Sequence, residues 1–196
     1  MTAGLAARRF LLAASRYDRA MTATFTLTAE PITAEAFAPY GRLLAPEGPR
    51  DAGREGYDIW IKPFAAESVA RLQVVRYHAR PFVVGMIERH LHVTEARLPL
   101  AGAPAAIIVV APPDLAAPAP RDLRAFRLDG TGAIFHRSTW HAIDAYPVSG
   151  AHADFLFLSE EATVNELFVT PGIAPKRTEV IDLAGGGVQI IIDAGP

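Results

Sequence analysis

The sequence contains no cysteine in 196 residues. Without thiols the chain cannot form a disulfide framework, a cysteine-ligated zinc site or a cysteine nucleophile. Its chemistry must therefore depend on histidine, carboxylate, hydroxyl or basic side chains. The absence of cysteine is also compatible with a reducing compartment, and we expect a cytoplasmic protein.

The sequence also lacks an excess of charge of either sign. Its 19 lysine and arginine residues nearly balance its 21 aspartate and glutamate residues, for a formal net charge of -2. Nucleic acids and anionic membranes are recognised by a basic face, so we expect neither as a partner. No run reaches the roughly 18 apolar residues of a membrane-spanning helix. A small-molecule substrate is the partner that this composition allows.

The first residues differ in character from the rest of the chain. Arg8 and Arg9 precede a short apolar stretch, and no acidic residue occurs before Asp18. A weak export or targeting signal is one interpretation, but the apolar stretch is short for a signal peptide. We predict a disordered leader over residues 1–20 and a single folded domain over residues 21–196.

Beyond the leader, short apolar runs recur at intervals of about ten residues, separated by Pro, Gly and Asp. This spacing is typical of an all-β sandwich or closed barrel. One short helix is predicted over residues 33–40, and loops are predicted over residues 46–56 and 111–121. The predicted strands are residues 25–27, 72–77, 82–87, 105–111, 123–128, 132–135, 142–146, 154–158 and 188–192.

Four of the six histidines lie in two short segments. In the first segment Glu88, His90 and His92 alternate, and alternate residues of a β-strand share one face. Two imidazoles spaced in this way on a strand form a chelate for a metal ion. The second segment contains His136 and His141, and it could supply a third imidazole from a facing strand.

The predicted metal ligands are His90, His92, Glu95 and His141. Glu95 follows His92 closely enough to reach the same ion after a bend in the chain. Imidazoles with a carboxylate suit a divalent transition metal that keeps positions open for substrate. The ligand types do not choose among Ni, Zn, Fe, Mn and Co. The alternative interpretation is a set of surface or hydrogen-bonded histidines that hold no metal.

Both histidine segments resemble the motifs of cupin barrels. The order of His90, His92 and Glu95 resembles the first cupin motif. In the second motif His136 stands at the position of a proline, and His141 stands at the position of the histidine. The resemblance implies an all-β fold, namely a single cupin-like β-barrel (a double-stranded β-helix) with a few short helices.

Several short motifs in a fixed order resemble those of the ureidoglycolate lyase family. They are Ala38-Pro39-Tyr40-Gly41, Glu88-Arg89-His90, Asp122-Leu123-Arg124-Ala125-Phe126, Phe135-His136-Arg137 with Trp140-His141, Asp154-Phe155-Leu156, and Asn165-Glu166. The resemblance implies a homodimeric lyase, associated with nickel, that splits ureidoglycolate into glyoxylate and urea in allantoin and purine degradation. The chain differs from the family at Leu91 and His92, where proline and leucine are usual, and at Glu95, where glutamine is usual.

Four further residues are predicted to act on such a substrate. Glu88 or His136 would carry the proton, because both titrate in a useful range when partly buried. Arg89 or Arg137 would pair with the substrate carboxylate. Two structural alternatives remain. Glu88 could instead satisfy a buried arginine, and Arg89, on the strand face opposite His90, could form a surface or dimer-interface salt bridge.

Two other functions remain open because one barrel hosts many activities. A diverged metal-dependent cupin could run a dioxygenase or isomerase reaction on another small polar acid. A non-catalytic cupin could bind a small ligand as a sensor or an accessory module.

Overall fold

Residues 23–168 and 175–195 of the chain are described by the computed structural model. Strands make up 49% of the structure and helices only 9%, which confirms the prediction of an all-β fold. The helices are α1 (Ala34–Phe37) and α2 (Glu161–Phe168), and a 3-10 turn covers Pro120–Asp122. The predicted leader at residues 1–20 lies outside the described residues.

The strands are numbered in chain order. They are β1 (Ala23–Pro31), β2 (Gly41–Leu44), β3 (Ala52–Arg54), β4 (Tyr57–Ile59), β5 (Ala70–His78), β6 (Val83–Val84), β7 (Met86–His90), β8 (Glu95–Pro99), β9 (Ala106–Ala111), β10 (Arg124–Leu128), β11 (Gly132–Phe135), β12 (Trp140–Ala142), β13 (Tyr146–Pro147), β14 (His152–Glu160), β15 (Thr178–Asp182) and β16 (Val188–Asp193).

The larger sheet has nine strands in the order β15-β7-β12-β9-β10-β1-β16-β6, with β13 also paired to β9. Strand β1 runs parallel to both of its neighbours, β10 and β16, whereas the other pairings are antiparallel. The sheet is curled. Strand β1 lies between β10 and β16 and so connects the two halves of the sheet. Five strands form the smaller sheet in the order β2-β11-β8-β14-β5, and β3 and β4 form a separate hairpin.

The core lies on both faces of β9, whose six residues are all buried. Ile108 and Val110 pack with Phe126, Phe135 and Phe155 in the space between the two large sheets. The alternate residues of β9 pack in a second cluster on the opposite face, together with residues of β16 and β6. An apolar run without polar alternation is expected for a strand that is covered on both sides.

The predicted strands are present, with two differences. Residues 82–87 form two short strands that are separated at Gly85, and residues 142–146 contain only the end of β12 and the start of β13. Strands β2, β3, β4, β8 and β15 and helix α2 were not predicted. The predicted helix is shorter than expected, and the Oγ1 of Thr33 accepts a hydrogen bond from the Ala36 amide at its start.

Gly41 is the first residue of β2. A Cβ at this position would lie 2.0 Å from the carbonyl oxygen of Ile134 on the paired strand β11. Glycine is therefore needed here because the two backbones approach each other closely.

None of the helices in the described ranges has both the length and the apolar character needed to cross a membrane.

Candidate active site

The candidate site begins with a row of side chains across the larger sheet. Glu88 on β7 lies directly opposite His141 on β12, and His90 lies opposite Thr178 on β15. Cross-strand partners of this kind bring their side chains into contact. His90 is two residues beyond the direct partner of His141, so the two rings are diagonal neighbours, 5.1 Å apart from centroid to centroid. The Nε2 atom of His90 lies 3.7 Å from a carboxylate oxygen of Glu88.

The smaller sheet contributes a carboxylate and a guanidinium from β8. Glu95 and Arg97 alternate on this strand, so they share its inner face. One oxygen of Glu95 is 3.1 Å from the Nε2 atom of His90, and the other accepts a hydrogen bond from the Nε atom of Arg97 at 2.5 Å. The site therefore lies where β7 and β12 of one sheet face β8 of the other.

Arg97 is almost completely enclosed, with 1% of its surface exposed. Its guanidinium carbon lies 5.0 Å from the ring centroid of Phe135 and 4.8 Å from that of Phe157, both within the range of cation–π attraction. Its Nη2 atom is 3.1 Å from the Nδ1 atom of His141. The charge of Arg97 is thus stabilised by Glu95 and by two aromatic faces.

The four ionisable side chains around Arg97 have shifted pKa values. Burial raises the pKa of Glu88, against the opposing charge of His90. Burial would also raise the pKa of Glu95, but the charges of Arg97 and the two imidazoles outweigh it and lower that pKa. Burial, aided by the charge of Arg97, lowers the pKa of His141 to about 3.

His90 shifts in the opposite direction. Burial alone would lower the pKa of His90, but its hydrogen bond to Glu95 and the charges of Glu95 and Glu88 raise it. Two imidazoles whose pKa values move apart can take different roles in acid–base chemistry, one holding a proton and the other remaining neutral.

Glu88, His90 and His141 could together hold a metal ion. Each offers one ligand atom, and these atoms all lie within 4.8 Å of one another. The Nε2 atom of His141 is buried and has no hydrogen-bond partner among the described residues, so it is available as a ligand. Thr178 contacts the other ring nitrogen of His90 at 3.1 Å, as groups behind metal-bound histidines do. These donors therefore suit a divalent transition metal.

His92 is placed differently from the sequence-based prediction. Strand β7 ends at His90, so the alternation that would put His92 on the same face stops there. The Nδ1 atom of His92 lies instead 2.7 Å from Glu67, and its side chain is 34% exposed. Within the described residues, the group of three potential ligands contains neither His92 nor Glu95.

Arg89 points away from the site, as the alternation on β7 predicts. Its guanidinium forms an ion pair with Glu179 at 2.6 Å, stacks 4.6 Å from the ring centroid of Trp140, and donates to the Leu115 carbonyl. These contacts match the salt-bridge alternative for Arg89 rather than a role as a substrate clamp.

Arg137 and His136 lie beside the site rather than within the group of three. The Nη1 atom of Arg137 is 3.2 Å from Glu67, the same carboxylate that His92 contacts. The Nε atom of Arg137 is buried without a hydrogen-bond partner in the described part of the chain. The Nε2 atom of His136 is 3.3 Å from the Ala38 carbonyl, and His136 lines a separate pocket of about 430 Å³ with Lys62.

Arg97 and Thr178 are the site residues that the sequence analysis missed. The alternation of Glu95 and Arg97 was a usable signal, because it places two opposite charges on one face of a strand. The sequence around Thr178 does not indicate a role in the site, because only the pairing of β15 with β7 brings Thr178 to His90.

Comparison with known proteins agrees with the motifs. A model of the ureidoglycolate lyase family matches residues 24–174. The chain belongs to the ureidoglycolate lyase family. It is 36% identical to a ureidoglycolate lyase of Stutzerimonas stutzeri over 126 residues, covering 59% of this chain and 73% of the relative. It is 37% identical to one of Rhodobacter capsulatus, covering 60% of this chain and 76% of that protein.

Membership of the ureidoglycolate lyase family confirms the family resemblance of the motifs. The matched region contains Glu88, His90, Glu95, Arg97 and His141. The candidate site therefore lies within the segment of the chain that matches the family.

Proposed function

We propose that this protein is a lyase that cleaves ureidoglycolate into glyoxylate and urea, with assistance from a divalent metal. The observation that carries the proposal is the convergence of Glu88, His90 and His141 inside a chain of the ureidoglycolate lyase family. By family resemblance the ion would be nickel, and Zn, Fe and Mn are alternatives that the same ligands accept.

His90, His141 and Glu88 would hold the ion. When bound, such an ion polarises a substrate oxygen and stabilises the charge that develops as a carbonyl forms. Thr178 contacts the Nδ1 atom of His90, and this contact orients the ring so that its Nε2 atom lies near Glu88. Preorganised ligands of this kind require little rearrangement when the substrate reacts.

The reaction moves one proton from the hydroxyl oxygen of the substrate to the departing urea nitrogen. We assign this transfer to Glu88, which is the most exposed of the three converging residues at 8%. Its carboxylate has two oxygens, so that one can remain near His90 while the other faces the substrate.

We assign binding of the substrate carboxylate to Arg137. Its Nη1 atom contacts Glu67 but its Nε atom has no hydrogen-bond partner among the described residues, whereas the guanidinium of Arg89 points away from the site. A guanidinium with free N–H groups can bind a carboxylate through two hydrogen bonds. The homodimer, the cytoplasmic location and the role in allantoin degradation remain predictions.

Release of glyoxylate is the direct test of this function. The purified protein, loaded with each metal in turn, is incubated with ureidoglycolate, and glyoxylate is measured through a coupled NADH-dependent reductase. We expect turnover by the wild type and a loss of kcat/KM of roughly 100-fold or more in H90Q, because a ligand that stabilises the transition state is removed.

His78 provides the matched control, since it is an exposed histidine on β5. H78Q should keep the wild-type rate. If no loaded form releases glyoxylate, the lyase proposal fails and the dioxygenase, isomerase and ligand-binding alternatives take its place. If H90Q and H78Q are equally active, the lyase stands but the assigned metal ligands do not.

A further inference from the structure

A permanently charged side chain lies beside the candidate metal ligands. Arg97 keeps its charge at any physiological pH, and only 1% of its surface is exposed. Its Nε atom donates to Glu95, and its Nη2 atom approaches the Nδ1 atom of His141 at 3.1 Å. Two of the residues that the sequence predicts as metal ligands are therefore already in contact with a cation.

As a hydrogen bond, the contact of Arg97 with His141 requires one particular placement of the ring hydrogen. A guanidinium has only N–H donors, so the Nδ1 atom of His141 must accept with its lone pair. Neutral imidazole then carries its hydrogen on Nε2. This is the nitrogen of His141 that has no hydrogen-bond partner among the described residues, and an N–H group cannot bind a metal ion.

A second partner of the same nitrogen requires the opposite arrangement. The Nδ1 atom of His141 is also 3.2 Å from the carbonyl oxygen of Ala142, which can only accept a hydrogen bond. With the hydrogen on Nδ1, the lone pair of Nε2 becomes free for a metal. Arg97 and the Ala142 carbonyl therefore favour different tautomers of one ring.

Three effects of Arg97 oppose metal binding at His141. A hydrogen bond from a charged donor is stronger than one between neutral groups. In addition, the guanidinium repels a divalent cation across a short distance among side chains that are almost completely buried. Its pairing with Glu95 also reduces the negative charge that a metal ion would meet.

We propose that Arg97 is a resident cation that competes with a divalent metal for His141 and Glu95. It thereby weakens metal binding at the group formed by Glu88, His90 and His141. The inference rests on the metal ligands assigned under the proposed function. Arg97 acts through its neighbours and is a positioning residue.

Metal affinity of the purified, metal-free protein tests the proposal. The dissociation constant for Ni²⁺ is measured by titration calorimetry for the wild type, for R97M and for R76M. Arg76 is the matched control because it is an exposed arginine that pairs with Asp154 on the smaller sheet. We expect R97M to bind Ni²⁺ roughly tenfold or more tightly than the wild type, and R76M to match the wild type.

A second pair of variants separates the two contacts. E95Q and E95Q/R97M both lack the carboxylate, so any difference between them cannot come from a freed Glu95. Tighter binding by E95Q/R97M supports competition at His141. Equal or weaker binding by both R97M and E95Q/R97M, in folded protein, overturns the proposal.

The tautomer of His141 gives a test that needs no change at Arg97. Two-bond ¹H–¹⁵N correlation spectra of the metal-free wild type are recorded, and H141Q identifies the signals of His141. We expect the hydrogen on Nε2. A hydrogen on Nδ1 overturns the proposal, even if R97M fails to fold.

The metal-binding experiments and the test of the proposed function can fail independently of each other. If Ni²⁺ binds none of these proteins, the competition proposal is overturned, while glyoxylate release still decides independently whether the chain is a lyase.

Discussion

Arg97 and Glu95 illustrate how a charge is accommodated in the interior of this protein. A buried charge is costly unless a partner and hydrogen bonds compensate for it. Here the carboxylate of Glu95 compensates for the guanidinium of Arg97, and the ring of Phe157 adds a cation–π contact. The buried arginine that was considered as a partner for Glu88 therefore exists, but Glu95 pairs with it.

His141 makes the stability of the metal-free protein sensitive to acid. Its pKa falls from 6.5 to about 3 in the folded chain, chiefly because it is buried. Between these values the unfolded chain binds a proton that the folded chain does not, so acidification favours unfolding. We expect the free energy of unfolding to fall as the pH is lowered from 6.5 towards 3.

H141Q measures the contribution of this one residue. The variant cannot bind the proton, so its free energy of unfolding should decrease less over the same pH range. Urea denaturation in a chelating buffer, followed by tryptophan fluorescence at several pH values, gives both curves. Parallel curves for the two proteins would show that His141 does not cause the acid sensitivity.

Strand β2 depends on a glycine for its pairing with β11. A methyl group at residue 41 would lie 2.0 Å from the Ile134 carbonyl oxygen and 2.8 Å from the ring of Phe37. The neighbouring atoms are backbone and buried aromatic, so they cannot move away easily. We expect G41A to lower the free energy of unfolding by about 3 kcal/mol, measured by urea denaturation.

Gly150 is the contrasting position for this prediction. Its φ is 70°, but a Cβ there would meet no atom within 4 Å. G150A should therefore cost only the backbone strain of a left-handed residue, about 1 kcal/mol. An equal effect of G41A and G150A would contradict the role of close packing at Gly41.

The elements also show why His92 does not lie with Glu88 and His90. Residues 86–92 read as one alternating strand, and the alternation is correct as far as His90. Nothing local marks the end of β7, because the strand ends where its pairing with β15 ends at Thr178. Strand ends set by a distant partner cannot be predicted from the residues next to them.

At the scale of the whole molecule, β1 holds the larger sheet together. It pairs with β10 on one side and with β16 on the other, both in parallel. These contacts involve residues 23–31 only, so a chain that begins at Met21 keeps every described strand. We expect that shortened chain to melt at the same temperature as the full chain and to release glyoxylate at the same rate.

A chain that begins at Thr33 is the matched control for this truncation. It lacks β1, which separates β10 from β16 in the sheet order. Its circular dichroism spectrum should show loss of the cooperative melting transition. A lower melting temperature for the chain starting at Met21 would contradict the prediction that residues 1–20 are a leader outside the fold.

The sequence by itself determined the all-β class, most strand positions, and the family. These follow from local signals: apolar runs of strand length, turn residues between them, and short motifs in a fixed order. It also identified His90 and His141 as residues of one site, because their segments carry the motif residues.

Only the tertiary structure decided what surrounds those two histidines. Glu88 reaches His141 through the pairing of β7 with β12, while Arg97 reaches it from the other sheet. Such contacts join residues that are far apart in sequence, and they depend on strand register and on how two sheets face each other. The alternation of Glu95 and Arg97 shows that they share a strand face, but the local pattern does not show what that face meets. The contact of Arg97 with His141 is therefore known only once the sheets are packed together.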